Sequence, residues 1–424
     1  MNIEISILSN GLMVISDPMA NLESAALGVW VGTGSRDELP AEMGISHMLE
    51  HMAFKGTAGR SARQIAEEIE SVGGYVNAYT SREQTAFHVR ILKDDVALAL
   101  DIIADILINS SFEESELERE RQVVLQELGQ ARDTPDDIIF DHLQNVIYQN
   151  QPLGWPILGD EKTVTSFAPE MLRDYSARRY RAGGMTLVCS GAVRHEDIVR
   201  IAENKFARLR PGSAPASAMA RYVGGEIRVE EELEQAHIAY AFPGVAANDP
   251  DFYVAQLHAM VLGGGMSSRL FQEVRERRGL CYSIYAFTNN FQDGGFTGIY
   301  VGTGENEAAE ISAVVAGEME GMAHAVTDAE MARAKAQLKS GLLMGLERPG
   351  SRAEQIAGQI FTFGRVQDIA EIVAQIERVD ANEVKRFAGQ VMASPSLAAI
   401  GPVGKLERHD VFAARFARAP EAAE

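Results

Sequence analysis

The sequence has few cysteines and no long apolar run. Only Cys189 and Cys281 are cysteine among 424 residues, and they lie far apart in apolar segments, so they form no metal-binding pair. No stretch of eighteen apolar residues is present, which excludes a membrane-spanning helix. The first residues alternate like a strand and lack the basic region and cleavage site of a signal peptide. We therefore expect a soluble, cytoplasmic protein in a reducing compartment.

Basic residues are scarce relative to acidic ones. The chain has 39 Lys and Arg against 60 Asp and Glu, a net charge of −21. Nucleic-acid binding needs a basic stripe, and the sequence has none, so this partner class is excluded. Two interpretations of the acidity stay open. It serves only to keep the protein soluble, or it attracts basic peptides.

The five residues from His47 to His51, His-Met-Leu-Glu-His, point most directly to a chemistry. Residues three and four apart are neighbours on a helix, so His47 and His51 can bind one ion while Glu50 projects beside them. This order is the inverse of the commoner His-Glu-x-x-His zinc motif. Apolar neighbours indicate a largely buried helix, with Ser46 able to cap it and Gly56 to end it. A divalent metal would satisfy these buried polar groups, and ordinary hydrogen bonds in a core are the alternative.

A catalytic zinc site usually has three protein ligands and leaves one position for water, so a third ligand is needed. The predicted helix from Glu113 to Gln130 offers two candidates, Glu120 and Glu127. They are seven residues apart and therefore share a face of the helix. Glu127 follows the least polar part of that helix, where a carboxylate needs a partner.

The two halves of the chain resemble each other when the sequence is slid along itself so that residue 43 falls on residue 257 (257 − 43 = 214). Residues 43–57 then fall on residues 257–271, and helical patterns with acidic openings also coincide. At this offset the motif positions are occupied by Val261, Gly264 and Gly265, so the second half cannot bind a metal in the same way.

Residues 210–218 are rich in small and turn-forming residues, which is typical of a linker. We expect an N-terminal domain with the metal-binding motif at 1–210, a linker at 211–224 and a homologous C-terminal domain without a metal site at 225–424. The predicted strands are 24–31, 85–92, 236–242 and 295–302, and the predicted helices include 65–72, 95–108 and 114–132. The expected fold class is α+β, with helices packed on one face of mostly antiparallel sheets.

Residues 47–57 resemble the signature of the pitrilysin (M16) family of zinc metallopeptidases. The similarity is close, in particular to the branch that contains the mitochondrial processing peptidase β subunit and its bacterial relatives. It extends over nearly the whole chain and includes the spacing from His51 to Glu127 (127 − 51 = 76), at which the family places its distal glutamate ligand. The resemblance implies the LuxS/MPP-like metallohydrolase fold and one Zn²⁺ per chain, bound by His47, His51 and Glu127. It also implies that Glu120 supports the metal site.

Two further segments resemble the same family. Residues 73–81 are similar to an edge strand that pairs with an extended substrate, with Asn77 and Ala78 nearest the scissile bond. Arg275 and Tyr282 are similar to an Arg and Tyr pair that binds substrate and stabilises the oxyanion. Without the family, the first segment is a turn into a strand and the second an ordinary basic helix end.

The resemblance implies a zinc endopeptidase that hydrolyses peptides or unfolded segments inside an enclosed chamber, with Glu50 as general base. In this branch two subunits form the chamber, and the Arg and Tyr that face one zinc come from the partner. We therefore expect a homodimer, with a heterodimer as the alternative. The rival function is a noncatalytic structural or assembly subunit of a processing-peptidase-like heterodimer. Its mark would be a damaged metal motif, and the motif here is intact.

Overall fold

The computed structural model describes residues 2–416, which form two compact units. Within these residues, the first unit comprises 2–130, 155–218 and 343–366, and the second comprises 131–154, 219–342 and 367–416. None of the helices in the described part of the chain has both the length and the apolar character needed to cross a membrane.

The strands are β1 (Glu4–Ile7), β2 (Met13–Pro18), β3 (Ser24–Val31), β4 (Tyr75–Thr80), β5 (Thr85–Leu92), β6 (Met185–Gly191), β7 (Glu226–Glu230), β8 (Ala236–Pro243), β9 (Cys281–Asn290), β10 (Gly295–Thr303) and β11 (Ser396–Gly401). The α-helices are α1 (Ile45–Ala53), α2 (Ala62–Glu70), α3 (Val96–Ile108), α4 (Glu114–Arg132), α5 (Pro135–Ile147), α6 (Glu161–Ser166), α7 (Pro169–Arg179), α8 (His195–Lys205), α9 (Phe252–Gly263), α10 (Ala308–His324), α11 (Asp328–Gly345), α12 (Pro349–Phe363), α13 (Ile369–Arg378), α14 (Ala381–Val391) and α15 (His409–Phe416). A π-helix spans Phe271–Arg277.

The two sheets share one topology. The first has the order β1-β2-β6-β3-β5-β4 and the second the order β7-β11-β8-β10-β9. Neighbouring strands are antiparallel, except that β2 and β6 run parallel, as do β7 and β11. Apart from β1, order and direction are therefore the same in both sheets. The predicted α+β class with two homologous, mostly antiparallel domains is confirmed.

Helices cover both faces of the first sheet, so the prediction that they pack on one face is wrong. Alternate residues of β2, β3 and β6 point to a large core with α1 and α3, and the others point to the opposite face. There Ile15, Trp30 and Val188 pack against Ala353 and Ile356 of α12. The physical reason lies in the strands. In β3 every residue from Ala25 onward is buried, so neither face can be left to water.

Each sheet takes its second cover from the other half of the sequence. In the second unit, Ile139, Leu143 and Ile147 of α5 pack with Ala239 and Ala398 of the sheet. α5 begins at residue 135 and α12 at residue 349, which is the repeat offset (349 − 135 = 214). Corresponding helices have thus been exchanged between the two units. The compact units therefore differ from the predicted domain ranges at these two helices.

The long helices keep this offset better than the strands do. α11 follows α4 at the full offset (328 − 114 = 214), whereas β8 follows β3 at a slightly shorter one (236 − 24 = 212) and β10 follows β5 at a shorter one still (295 − 85 = 210). β3, β5 and α4 have the predicted bounds.

A buried histidine makes the second unit sensitive to acid. His258 of α9 has no exposed surface, and neither ring nitrogen has a hydrogen-bond partner among residues 2–416. Burial, with Arg269 nearby, lowers the pKa of His258 to about 4. The unfolded chain therefore binds the proton more readily, and the stability held above pH 6.5 is lost as the pH falls towards 4, by up to about 3 kcal/mol.

We expect His258→Leu to weaken this loss of stability between pH 7 and pH 5. The measurement is urea unfolding of wild type and variant at both pH values. The control variant is His324→Gln, at an exposed histidine of the same unit, measured under the same conditions. An equal loss in wild type and His258→Leu would show that another group titrates.

Candidate metal centre

The motif helix α1 begins directly after Gly44 and is capped by the carboxyl group of Glu38, six residues before that glycine. Gly44 has φ +90°, and a Cβ there would lie 2.7 Å from the carbonyl oxygen of Leu158, so only glycine fits. The carboxylate of Glu38 accepts the backbone N–H groups of Gly44, at 2.8 Å, and Ser46, at 2.9 Å. The predicted capping role of Ser46 is wrong. Ser46 lies inside α1, and its hydroxyl contacts that of Tyr175 at 2.7 Å.

The three predicted ligands lie together in the first unit. Glu127 Oε2 of α4 is 3.7 Å from His47 Nε2 and 3.5 Å from His51 Nε2. Two ligands of a tetrahedral zinc, each about 2.0–2.1 Å from the ion, are about 3.4 Å apart, so this spacing fits one ion. Glu127 Oε2 is buried, and within residues 2–416 it has no hydrogen-bond partner. A cation would satisfy it, and the three side chains could hold a metal ion together.

The electrostatics of the site suit a cation. Burial, with His51 alongside, lowers the pKa of His47 to about 4, so this ring is neutral and able to bind a metal. Burial also acts to lower the pKa of His51, but the carboxylates of Glu120, Glu127 and Glu50 outweigh it and the pKa is raised. The same negative surroundings attract a divalent ion.

Glu120 orients one of the two histidines. It is 5% exposed, and its Oε2 is 3.0 Å from His51 Nδ1 while its Oε1 is 2.7 Å from Lys55 Nζ. His51 and Lys55 lower the pKa of Glu120 despite its burial. The group is therefore an ionised carboxylate, which accepts hydrogen bonds and donates none. His51 therefore carries its proton on Nδ1 and presents Nε2 to Glu127. Lys55 was missed in the sequence, because it lies two residues beyond the end of α1, where helix periodicity no longer predicts its direction.

Glu50 is held by the neighbouring strand. The hydroxyl of Thr80 donates to Glu50 Oε2 at 2.6 Å. Burial raises the pKa of Glu50, and the bond from Thr80 only partly opposes this. The carboxyl group is thus moved towards the neutral range in which a general base works. Thr80 lies within the segment singled out for substrate binding, but its own contact could not be read from the sequence.

That strand, β4, is an edge of the first sheet. It pairs with β5, where Asn77 lies opposite His88 and Ala78 opposite Phe87, and it ends the strand order of the sheet. An edge strand has unpaired main-chain groups on its open side, which can bind an extended peptide. The position of Asn77 and Ala78 agrees with that mode of binding.

Arg275 and Tyr282 belong to the second unit, whereas the predicted metal ligands and Glu50 belong to the first. The guanidinium carbon of Arg275 is 4.9 Å from the centre of the Tyr282 ring and 4.6 Å from that of Phe271. Arg275 belongs to the π-helix, a conformation frequent at functional sites, and Tyr282 is 73% exposed on β9. Both line a cavity of about 480 Å³ together with Asp136, Asp137, Phe140, Phe271, Ser283, Ile284, Tyr285 and Tyr300.

Comparison with protein families assigns both halves. Residues 13–161 match the model of insulinase, peptidase family M16, and residues 166–338 match the peptidase M16 inactive domain. The chain belongs to peptidase family M16. The second match, to the domain described as inactive, includes residues 261–265, where the metal motif is missing.

The names of the relatives of this M16 protein agree with a metal-binding site formed by two histidines and a glutamate. A zinc protease of Rickettsia felis is 40% identical, over 95% of this chain and 98% of the relative. A probable mitochondrial-processing peptidase subunit beta of Arabidopsis thaliana is 37% identical, over 97% of this chain and 80% of the relative. A protease from Helicobacter pylori has the same fold, with a TM-score of 0.87 and 21% identity over 95% of this chain and 99% of that one. The M16 protein is accordingly a zinc metallopeptidase with Zn²⁺ as its cofactor.

We expect zinc binding to depend on Glu127 more than on Glu120. Glu120→Gln should weaken zinc affinity by roughly 10- to 100-fold, because it removes the charge that orients His51. Glu127→Ala should weaken it further, because it removes a ligand. Competition with a chromogenic chelator measures both, and Glu118→Gln on the exposed side of the same helix is the control. Unchanged zinc content and affinity in Glu127→Ala would refute the ligand assignment.

Proposed function

We propose that this M16 protein is a zinc-dependent endopeptidase that hydrolyses peptides and unfolded segments, with Glu50 as general base. The observation that carries the proposal is the bond from Thr80 to Glu50. It joins the carboxylate beside the three ligands to the edge strand on which a peptide can be paired. Base, metal ligands and a peptide-binding edge therefore converge in one unit.

His47, His51 and Glu127 would hold Zn²⁺, which would supply Lewis-acid chemistry by acidifying water and polarising a carbonyl oxygen. Glu50 takes the proton of the attacking water and returns it to the leaving amine. Its partial burial and raised pKa suit both transfers. Thr80 occupies Oε2, which leaves Oε1 for the proton.

The substrate is held as an added strand. Main-chain groups of β4 near Asn77 and Ala78 pair with the peptide on both sides of the scissile bond. Backbone pairing accepts many side chains, so cleavage tolerates varied sequences. Only extended chains can add a strand, which, with enclosure in a chamber, restricts the substrates to peptides and unfolded segments.

Arg275 and Tyr282 stabilise the negative charge of the tetrahedral intermediate. The phenol of Tyr282 is exposed, so its hydroxyl can donate to a substrate oxygen, and the guanidinium of Arg275 stacks on its ring. We propose a homodimer as the working assembly, because one chain has both the metal ligands and the pair Arg275 and Tyr282. A heterodimer is the alternative, since relatives in this family are named as subunits of a processing peptidase. The proposed compartment is the cytoplasm, in keeping with Cys189 and Cys281 as free thiols.

Basic peptides are the favoured substrates. The protein has a net charge of −21, and the cavity beside Arg275 and Tyr282 also contains Asp136 and Asp137. Carboxylates and aromatic rings together attract cationic side chains.

Glu50→Gln should keep zinc and slow peptide cleavage by roughly 100- to 10,000-fold, because the amide cannot accept the proton. The test is digestion of a peptide mixture by purified wild type and variant, with and without chelator. Products are mapped by mass spectrometry, and zinc content and the mass of the assembly are measured alongside. Cleavage at the wild-type rate by Glu50→Gln would contradict the mechanism.

The KM of a lysine- and arginine-rich peptide should rise several-fold as ionic strength increases from about 0.01 to 0.1 M, which shortens the Debye length from about 30 to about 10 Å. An uncharged peptide of equal length should show little change. The double variant Asp136→Asn/Asp137→Asn should weaken the response to salt. Equal responses of both peptides in the wild type would refute electrostatic selection of the substrate.

A further inference from the structure

Tyr79 and Thr80 are consecutive residues of β4, and their side chains leave opposite faces of the sheet. Thr80 points towards Glu50, whereas Tyr79 packs with the apolar cluster beneath α12. There the Tyr79 hydroxyl donates a hydrogen bond to Glu354 Oε1. Trp30 Nε1 donates to the other oxygen of Glu354 at 3.1 Å. One carboxylate of α12 thus accepts hydrogen bonds from two strands of the sheet.

The register of the strands brings these donors together. Trp30 of β3 lies opposite Ala86 of β5, and Ala86 lies opposite Tyr79 of β4. Since the middle position of this row is a small, fully buried alanine, the two large side chains can meet above it, and Trp30 Nε1 is 3.3 Å from the Tyr79 hydroxyl. Glu354 receives both donors at this point.

α12 gives Glu354 a fixed position. The guanidinium of Arg352 forms a bidentate pair with Asp17 of β2, with Nη2 2.8 Å from Oδ1. Asp17 is fully buried, which makes this pair well shielded from solvent. Ala353 and Ile356 are packed against the sheet on either side of Glu354.

We propose that Glu354, through Tyr79, is a positioning residue for peptide cleavage. Edge strand β4 is paired on one side only, so its placement depends on contacts of its two faces. Glu354 fixes one face at Tyr79, and the next residue, Thr80, orients the base Glu50 on the other. We call the hydrogen bond from Tyr79 to Glu354 the tether. It keeps β4 in register with Glu50 while a substrate pairs with the open edge. This inference rests on the proposed function.

The test is Tyr79→Phe, which removes the tethering hydroxyl and keeps the ring. We expect kcat for a fluorogenic peptide long enough to span β4 to fall roughly tenfold, because small displacements of reacting groups have large kinetic effects. Zinc affinity should stay at the wild-type value, and amide hydrogen exchange of residues 75–80 should become faster. Glu354→Gln should lower kcat as well, and Tyr79→Phe should have little further effect in that background.

Tyr222→Phe is the matched control. It removes a tyrosine hydroxyl that is bonded to Ala241 O at 2.9 Å and to Ser396 Oγ at 2.7 Å in the second unit. It should lower thermal stability without changing kcat. Unchanged kcat and exchange in Tyr79→Phe, or an equal loss of kcat in Tyr222→Phe, would overturn the proposal.

The tether and the proposed function can fail separately. If the wild-type protein cleaves no peptide, the proposed function fails. Exchange at residues 75–80 then still tests the tether, since faster exchange in Tyr79→Phe supports it and unchanged exchange refutes it.

Discussion

The ionised carboxylate of Glu120, almost completely buried between two helices, is the constraint on which the metal centre depends. A buried charge without partners is strongly destabilising, so Glu120 must stay in contact with both His51 of the motif helix and Lys55 just after its end. These two contacts fix α4 against α1. Glu127 lies two helical turns further along α4, and the same packing places it beside the two histidines. One electrostatic requirement therefore sets the tautomer of His51 and the position of the third ligand.

Local periodicity explains how much of this site could be predicted. His47, Glu50 and His51 are placed by the geometry of one helix, and the bounds of α4 follow from its own pattern, so both could be read from the sequence. Glu38 and Thr80 could not, because their contacts with α1 arise only when a loop and a strand fold back onto it. The covering of both sheet faces was missed for a different reason. Strands that are apolar throughout, such as β3, do not show which elements will cover each face.

The second sheet repeats the topology of the first without repeating its chemistry. At the end of α9 the chain has Gly264 at the position that corresponds to Glu50, and a Cβ there would lie only 2.3 Å from Met260 Sδ and 2.6 Å from Met260 Cα. A glutamate side chain does not fit at this point unless its neighbours shift. In the second copy, close packing therefore occupies the space of this motif residue. The fold has been kept while the equivalent of the metal motif is absent.

The exchange of α5 and α12 also has a consequence for the order in which the protein is made. The last strand of the first sheet, β6, ends at Gly191, but the helix that covers its second face begins only at Pro349, far into the other half of the sequence. While the ribosome synthesises the stretch between them, Ile15, Trp30 and Val188 have no partner from α12. The nascent chain therefore carries an uncovered apolar surface through a large part of its translation, which is the kind of surface that chaperones bind.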